Sequence, residues 1–203
     1  MAAKAARRLA MLVFWKARLV LLAVPKTGTT ALEATLAPHA DAAIVNPPGL
    51  KHCTVRKYRR ELADFFEQKG RRPMELVATV REPVDWLGSW YRYRRRPALD
   101  GQPNSTAHVD FDGFVKAYLA DPQPDFARVG AQAQFLGGGV DHLFRHDDGG
   151  LVPFLAERLE LEIDVPRMNV SPAGALDLSP ETEARLRRER PEEFEVWDTA
   201  GRG

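Results

Sequence analysis

The sequence predicts an α/β domain of three layers, with a mostly parallel central sheet and helices on both faces. Three observations predict it. Apolar, partly β-branched runs at Arg18 to Val24, Glu75 to Val80 and Val140 to Phe144 alternate with segments of helical character. The 203 residues are enough for one self-sufficient core and few for two, so residues 1–203 read as a single domain. A composition 44% hydrophobic and 28% charged is that of a folded chain and excludes wholesale disorder.

The elements follow in order. Lys4, Arg7 and Arg8 before Leu9 to Trp15 have the outline of a signal peptide, but Lys16 and Arg18 break the run and no small-residue cleavage site follows. Neither flanking run approaches the ~20 apolar residues of a bilayer span. The expectation is a cytoplasmic protein without stable membrane insertion, beginning with two strands joined by a tight turn at Lys16-Ala17. Pro25 to Thr30 is a turn, and Thr29 or Thr30 caps a helix over Ala31 to Ala37 that Pro38 ends. Asp41 to Val45 is a short strand and Asn46 to Gly49 a loop. A helix with a basic first half spans Thr54 to Gln68, and another runs from Val84 to Arg96 with Pro83 at its start. Further helices cover Phe111 to Leu119 behind Asp110, Arg128 to Leu136, and Leu151 to Leu159. Ser179-Pro180-Glu181 opens a last one. Cys53 is the sole cysteine, which excludes an intramolecular disulfide and a zinc site built from several thiolates.

Charge is unevenly divided. Residues 1–100 hold 19 of the 29 basic side chains and only 9 of the 28 acidic ones, and the balance reverses in residues 101–203. A first half so basic is suited to an anion; mutual attraction of the two halves is the plainer reading.

The most specific signal is Pro25-Lys26-Thr27-Gly28-Thr29-Thr30, directly between a buried strand and a helix. Unpaired N–H groups and the positive dipole end at a helix start attract a phosphate. Gly28 lets the backbone curl around it, Thr29 and Thr30 add hydroxyls, and Lys26 adds a mobile charge. The common nucleoside-triphosphate loop needs two spaced glycines with lysine after the second, which this is not. Arg81 ends the strand Glu75 to Val80, and Ser89 follows eight residues later in the next helix. Ligands of open α/β sheets bind beyond the carboxyl ends of the strands. Arg81 therefore sits beside the loop if the two strands are neighbours, where its guanidinium suits a second phosphate.

These residues resemble a family. Pro25 to Thr30 looks like the 5′-phosphosulfate loop of sulfotransferases. Arg81-Glu82-Pro83-Val84-Asp85 with Ser89 looks like their 3′-phosphate element. The likeness covers residues 18–96, the expected cofactor-binding core, and leaves 97–203 as the acceptor side and C-terminal helices. It is to the carbohydrate-type and bacterial members, since Ala31 stands where cytosolic small-molecule members carry a tryptophan. Arg167 to Ser171 resembles a late segment near the cofactor, and Val140 to Asp147 the strand before it. No Arg-Lys-Gly clamp follows near the C-terminus.

The resemblance implies a fold like that of P-loop nucleotide hydrolases and a donor, 3′-phosphoadenosine-5′-phosphosulfate (PAPS), that leaves as the bisphosphate PAP. It implies transfer of a sulfuryl group to a hydroxyl or amine of a glycan, glycolipid or small hydroxylated molecule, without metal and without nucleic acid. Lys26 then stabilises the leaving oxygen, Thr27, Gly28, Thr29 and Thr30 hold the 5′-phosphate, and Arg81 and Ser89 the 3′-phosphate. His52 is the expected base, from its loop position after the second strand and a Lys51-His52 pair similar to that of some carbohydrate-type members. His39, His108, His142 and His146 are placed less well, and Glu33 is expected to point away. The rival readings are a small magnesium-dependent kinase or nucleoside triphosphatase, and a nucleic-acid-binding module built on the basic runs Lys51 to Arg60 and Arg92 to Arg96. Trp86, Trp90 and Tyr93, at helical spacing, are expected in the core, and Arg94 to Arg96 on a solvated face.

Overall fold

The apolar runs on either side of Lys16-Ala17 fold as a hairpin of β1 (Met11–Phe14) and β2 (Leu19–Leu21), with Leu12 opposite Leu21 and Phe14 opposite Leu19. The structure is a computed structural model and describes residues 10–68, 72–165 and 176–201. After β2 come α1 (Thr30–Leu36), β3 (Ala42–Ile44), α2 (Pro48–Lys51), α3 (Val55–Glu61) and α4 (Ala63–Glu67). Next are β4 (Glu75–Val80), α5 (Pro83–Arg94), α6 (Phe111–Tyr118), α7 (Gln132–Leu136), β5 (His142–Arg145), α8 (Leu151–Leu159), α9 (Pro180–Glu189) and α10 (Pro191–Thr199).

One five-stranded sheet runs in the order β3-β1-β2-β4-β5. The α/β class holds, but the expectation of a mostly parallel sheet is corrected: the sheet is mixed. β2, β4 and β5 pair in parallel, whereas β1 is antiparallel to both of its neighbours. The reason is local. The four residues between β1 and β2 are too few for a crossover and can only reverse the chain.

Strands β1 and β2 are buried on both faces, as their near-continuous apolar sequence requires. Leu12, Phe14, Leu19 and Leu21 pack with Leu32 and Leu36 of α1 and Leu151 and Leu155 of α8. Met11, Val13, Val20 and Leu22 face Val55 and Tyr58 of α3 and Phe135 and Leu136 of α7. Helices thus cover both faces. A satellite core joins α5, α6 and α9 through Trp86, Leu87, Phe114 and Leu186. Among the described residues no helix is long and apolar enough to cross a membrane.

Several helix bounds differ from expectation. The single helix expected over Thr54 to Gln68 breaks at Leu62 (φ −122°), and the ring of Phe66 stacks on that of Tyr58, 6.5 Å between centroids. Pro48, expected in a loop, instead begins α2, and Pro191 begins α10; proline at a first helical position costs no backbone bond. Asp110 and Ser179 cap α6 and α9 as expected, accepting from the N–H groups of Gly113 and Thr182.

Candidate functional site

Because β2 and β4 are parallel neighbours, the segments leaving their carboxyl ends meet. The first is the loop Pro25 to Thr30. Lys26 (φ +68°) and Gly28 (φ +79°) both adopt left-handed backbone, and this curls the chain. A Cβ on Gly28 would lie 3.4 Å from the His146 ring, so glycine also admits a close neighbour.

The threonines are used differently from expectation. Thr27 Oγ1 donates to the Val24 carbonyl (3.0 Å) and accepts from Thr79 Oγ1 (2.8 Å), tying the loop to β4. The Thr29 hydroxyl donates to the Glu33 carboxylate and makes no cap bond, although Thr29 occupies the N-cap position of α1. Glu33 does not point away. It is buried and also accepts from the Ala10 N–H at 2.8 Å. Burial raises its carboxyl above the usual range, against the opposing hydrogen bonds of Thr29 and Ala10. With the hydroxyls of Thr27 and Thr29 spent inside the fold, backbone N–H groups are what these residues offer an anion. Glu33→Ala is expected to destabilise the fold by about 2–4 kcal/mol, because it strands two buried donors; urea denaturation checks this.

The second segment is cationic. The Arg81 guanidinium, largely buried, donates to the Lys26 carbonyl (3.3 Å) and to Asp85 Oδ2 (2.5 Å). Arg92 lies 3.5 Å from the other Asp85 oxygen. Burial opposes ionisation of Asp85, but the Arg81 bond and the charges of Arg81 and Arg92 outweigh it and hold the carboxyl below its usual range. The Lys26 ammonium stands 4.4 Å from the Tyr93 ring centre and 5.8 Å from that of Trp90. The Arg96 guanidinium stands 4.6 Å from the same Tyr93 ring. Burial, then the charges of Arg96, Arg81 and Arg92, push Lys26 down to about 8. Among the described residues, Lys26, Arg81, Arg92 and Arg96 thus share one corner with the Asp85 carboxylate.

Expectations for α5 are revised accordingly. Trp86 is core and donates to the Pro25 carbonyl (2.9 Å), but Trp90 and Tyr93 flank Lys26. Arg95 and Arg96 are exposed as expected, while Arg94 is half-buried and donates to the carbonyls of Asp125 and Arg128. Ser89 is buried one turn beyond Asp85 on the same helix stripe, and no hydrogen bond involves its hydroxyl among the described residues.

The backbone of Arg81 is held by a side chain. Gln132, fully buried, accepts from the Arg81 N–H (2.9 Å) and donates to its carbonyl (2.8 Å). Glu193 of α10 in turn accepts from the N–H groups of Gln132 (3.0 Å) and Ala133 (2.8 Å). Gln132 and Glu193 were not anticipated, since both act from segments distant in sequence.

His52 ends α2 and its Nδ1 lies 2.8 Å from the Ala23 carbonyl. A carbonyl only accepts, so Nδ1 carries the proton and Nε2 is left with a free lone pair. Burial pushes His52 below its ordinary value, against the Ala23 bond, and the Lys51 charge adds to the fall. His146, the residue directly after β5, is a second histidine at the site. Its ring meets Gly28, its Nδ1 is buried with no hydrogen bond among the described residues and lies 3.9 Å from Asp147 Oδ1, and burial followed by the Arg81 charge pushes it down as well. It lines a cavity of about 170 Å³ beside Thr27, Gly28 and Thr79. Arg167 to Ser171 lies outside the described residues.

The structure therefore brings Lys26, Thr27, Gly28, Thr29, Thr30 and Arg81 together, with Ser89 one helical turn past Asp85 and His52 anchored three residues before Lys26. Compared with protein-family models, curated proteins and solved structures, the chain matches none.

Proposed function

We propose that the protein is a PAPS-dependent sulfotransferase, transferring a sulfuryl group to a hydroxyl or amine of a glycan, glycolipid or small hydroxylated molecule. The observation that carries this reading is the convergence of Arg81, at the end of β4, on the backbone of Lys26, in the loop after β2. Two anion-holding elements from separate strands then serve one ligand with two separated phosphates. The arrangement of β2, β4 and β5 with the loop at their carboxyl ends is what supports likening the fold to P-loop nucleotide hydrolases.

The residues fit such a ligand. Among the described residues, Arg92 Nε, Trp90 Nε1 and His146 Nδ1 are buried around the loop without a hydrogen-bond partner, and buried polar atoms left over in a folded protein call for a ligand or water. When bound, PAPS supplies an activated sulfuryl group on its 5′-phosphate and a second phosphate at the 3′ position. The N–H groups of residues 27–30 hold the 5′-phosphate, and Arg81 with Ser89 takes the 3′-phosphate. Lys26 supplies positive charge where the oxygen between phosphorus and sulfur becomes negative, a role for a preorganised cation in a buried corner. His52 Nε2 takes the acceptor's proton as the new bond to sulfur forms and the old S–O bond breaks.

Calorimetry with the adenosine bisphosphate PAP and with ADP, each with and without magnesium, tests the reading. The expected result is at least about 100-fold preference for PAP, independent of metal. Equal affinities overturn it, and tighter binding of magnesium-ADP favours the kinase or nucleoside-triphosphatase alternative. The nucleic-acid alternative loses support because Arg59 and Arg94 are committed to backbone carbonyls.

The two perturbed groups also fix a pH profile. His52 must be neutral to accept a proton, so kcat/KM rises through a value below 6.5. Lys26 must be charged, so kcat/KM falls as pH rises through about 8. A bell between these limits is expected in steady-state assays, and His52→Ala should lower turnover and remove the acid limb.

A further inference from the structure

Two adjoining cavities open on the α3 side of the loop. The inner one, about 350 Å³, is walled by Val24, Pro25, Trp86, Val129 and Phe135. The outer one, about 500 Å³, reaches Tyr118, Arg190 and Glu192. Arg56, Gly130, Ala131 and Gln134 belong to both, so they form one cleft. Its inner end touches the two residues immediately before Lys26, and Thr54, two residues after His52, is part of the same wall. A larger cavity of about 680 Å³ runs beside β5 and α10 and has no residue of the loop in its walls.

The chemistry changes along the cleft. At the inner end the Trp86 N–H is already spent on the Pro25 carbonyl, so that side chain offers an aromatic surface without a free donor. Arg56 stands where the two cavities join. It is one of four cations on α3, and the other three are committed. Lys57 donates to the Gly49 carbonyl and pairs with Glu61, Arg59 donates to the carbonyls of Gly138 and Gly139, and Arg60 pairs with Glu61. Arg56 makes no hydrogen bond or ion pair among the described residues, although it borders the cleft midway. Farther out, the Arg190 guanidinium lies 5.7 Å from the Tyr118 ring centre, beside Glu192.

The geometry points to this cleft as the acceptor site, and to an acceptor of a particular class. Its body is apolar and about the size of one ring. It presents a hydroxyl or amine at the Lys26 end and carries a carboxylate or similar anion that Arg56 holds. The inference rests on the transfer reaction proposed above and names its substrate class. An unsubstituted sugar ring suits the inner end poorly, because Val129, Trp86 and Phe135 would face its hydroxyls without hydrogen-bonding them. Arg56 is then the specificity-determining residue: its guanidinium grips a carboxylate through charge-assisted bonds and does nothing comparable for a neutral amide.

Matched probes test this. 3-(4-Hydroxyphenyl)propionate, its neutral amide and the cationic tyramine are titrated calorimetrically into the full chain saturated with PAP. The acid is expected to bind about ten-fold more tightly than the amide, and tyramine more weakly than either. Arg56→Gln, an exposed substitution, should erase the difference between acid and amide while PAP affinity stays the same. Equal binding of acid and amide by the unmodified protein, no binding of the acid at millimolar concentration, or a preference that survives Arg56→Gln each overturn the inference. The two proposals fail separately. If PAP does not bind, the titrations are run without it; a preference for the acid that depends on Arg56 then leaves the cleft standing while the transfer reaction falls.

Discussion

Arg81→Ala is expected to weaken PAP binding about 100-fold and to leave ADP binding within about two-fold. The asymmetry is the point of the experiment. On the proposed reading only PAP carries a 3′-phosphate for the Arg81 guanidinium to meet, whereas both nucleotides would use the loop amides. The guanidinium is already oriented by Asp85 and by the Lys26 carbonyl, so little side-chain entropy is left to lose on binding. Arg81→Lys should recover only part of the affinity, because an ammonium makes no forked contact. If Arg81→Ala weakens both nucleotides equally, the residue braces the loop and does not read the 3′ position.

Lys26→Ala is expected to lower kcat by about 100- to 1000-fold, the cost of removing one preorganised group from a developing negative charge. Its effect on PAP affinity should be far smaller, since the amides and Arg81 remain. Stability should not fall. A lysine held down to about 8 by burial and by Arg96, Arg81 and Arg92 is charged against its surroundings at neutral pH, so removing the ammonium relieves repulsion. The unfolded chain keeps the ordinary, higher lysine value. Between about 8 and 10.5 it binds the proton that the folded chain has released, so the native protein should gain stability as pH rises there, and the variant should lose that dependence. Single-turnover kinetics and thermal melts at pH 7 and 9 measure both effects.

Much of this site was legible in sequence because it is local. A strand–turn–helix junction with Lys26 and Gly28 announces itself within six residues, and Arg81 follows from the rule that parallel strands present their carboxyl ends together. The same rule reaches His146 directly after β5, but a lone histidine carries no pattern that separates it from four others. The direction of β1 was less legible, since a buried strand reads the same whichever way its neighbours run. What Thr29 and Glu33 do was hidden for another reason. A carboxylate one turn into a helix points out or in according to what lies opposite, and here that is the start of β1, about twenty residues earlier in the chain. Gln132 and Glu193 depend on pairings across 51 and 61 residues that no periodicity encodes.

The bracing of Arg81 has a temporal side. The arginine belongs to the first half of the chain, yet the side chain that fixes its backbone is itself steadied by Glu193 in α10. During synthesis the five described strands are complete once Arg145 has left the ribosome, while the bracing of Arg81 waits for α10. A nascent or proteolytically clipped chain ending before residue 190 would hold every described strand yet lack the carboxylate that steadies Gln132. It would also lack Val196 and Trp197 of α10 and the adjoining Ala200, which close one side of the core.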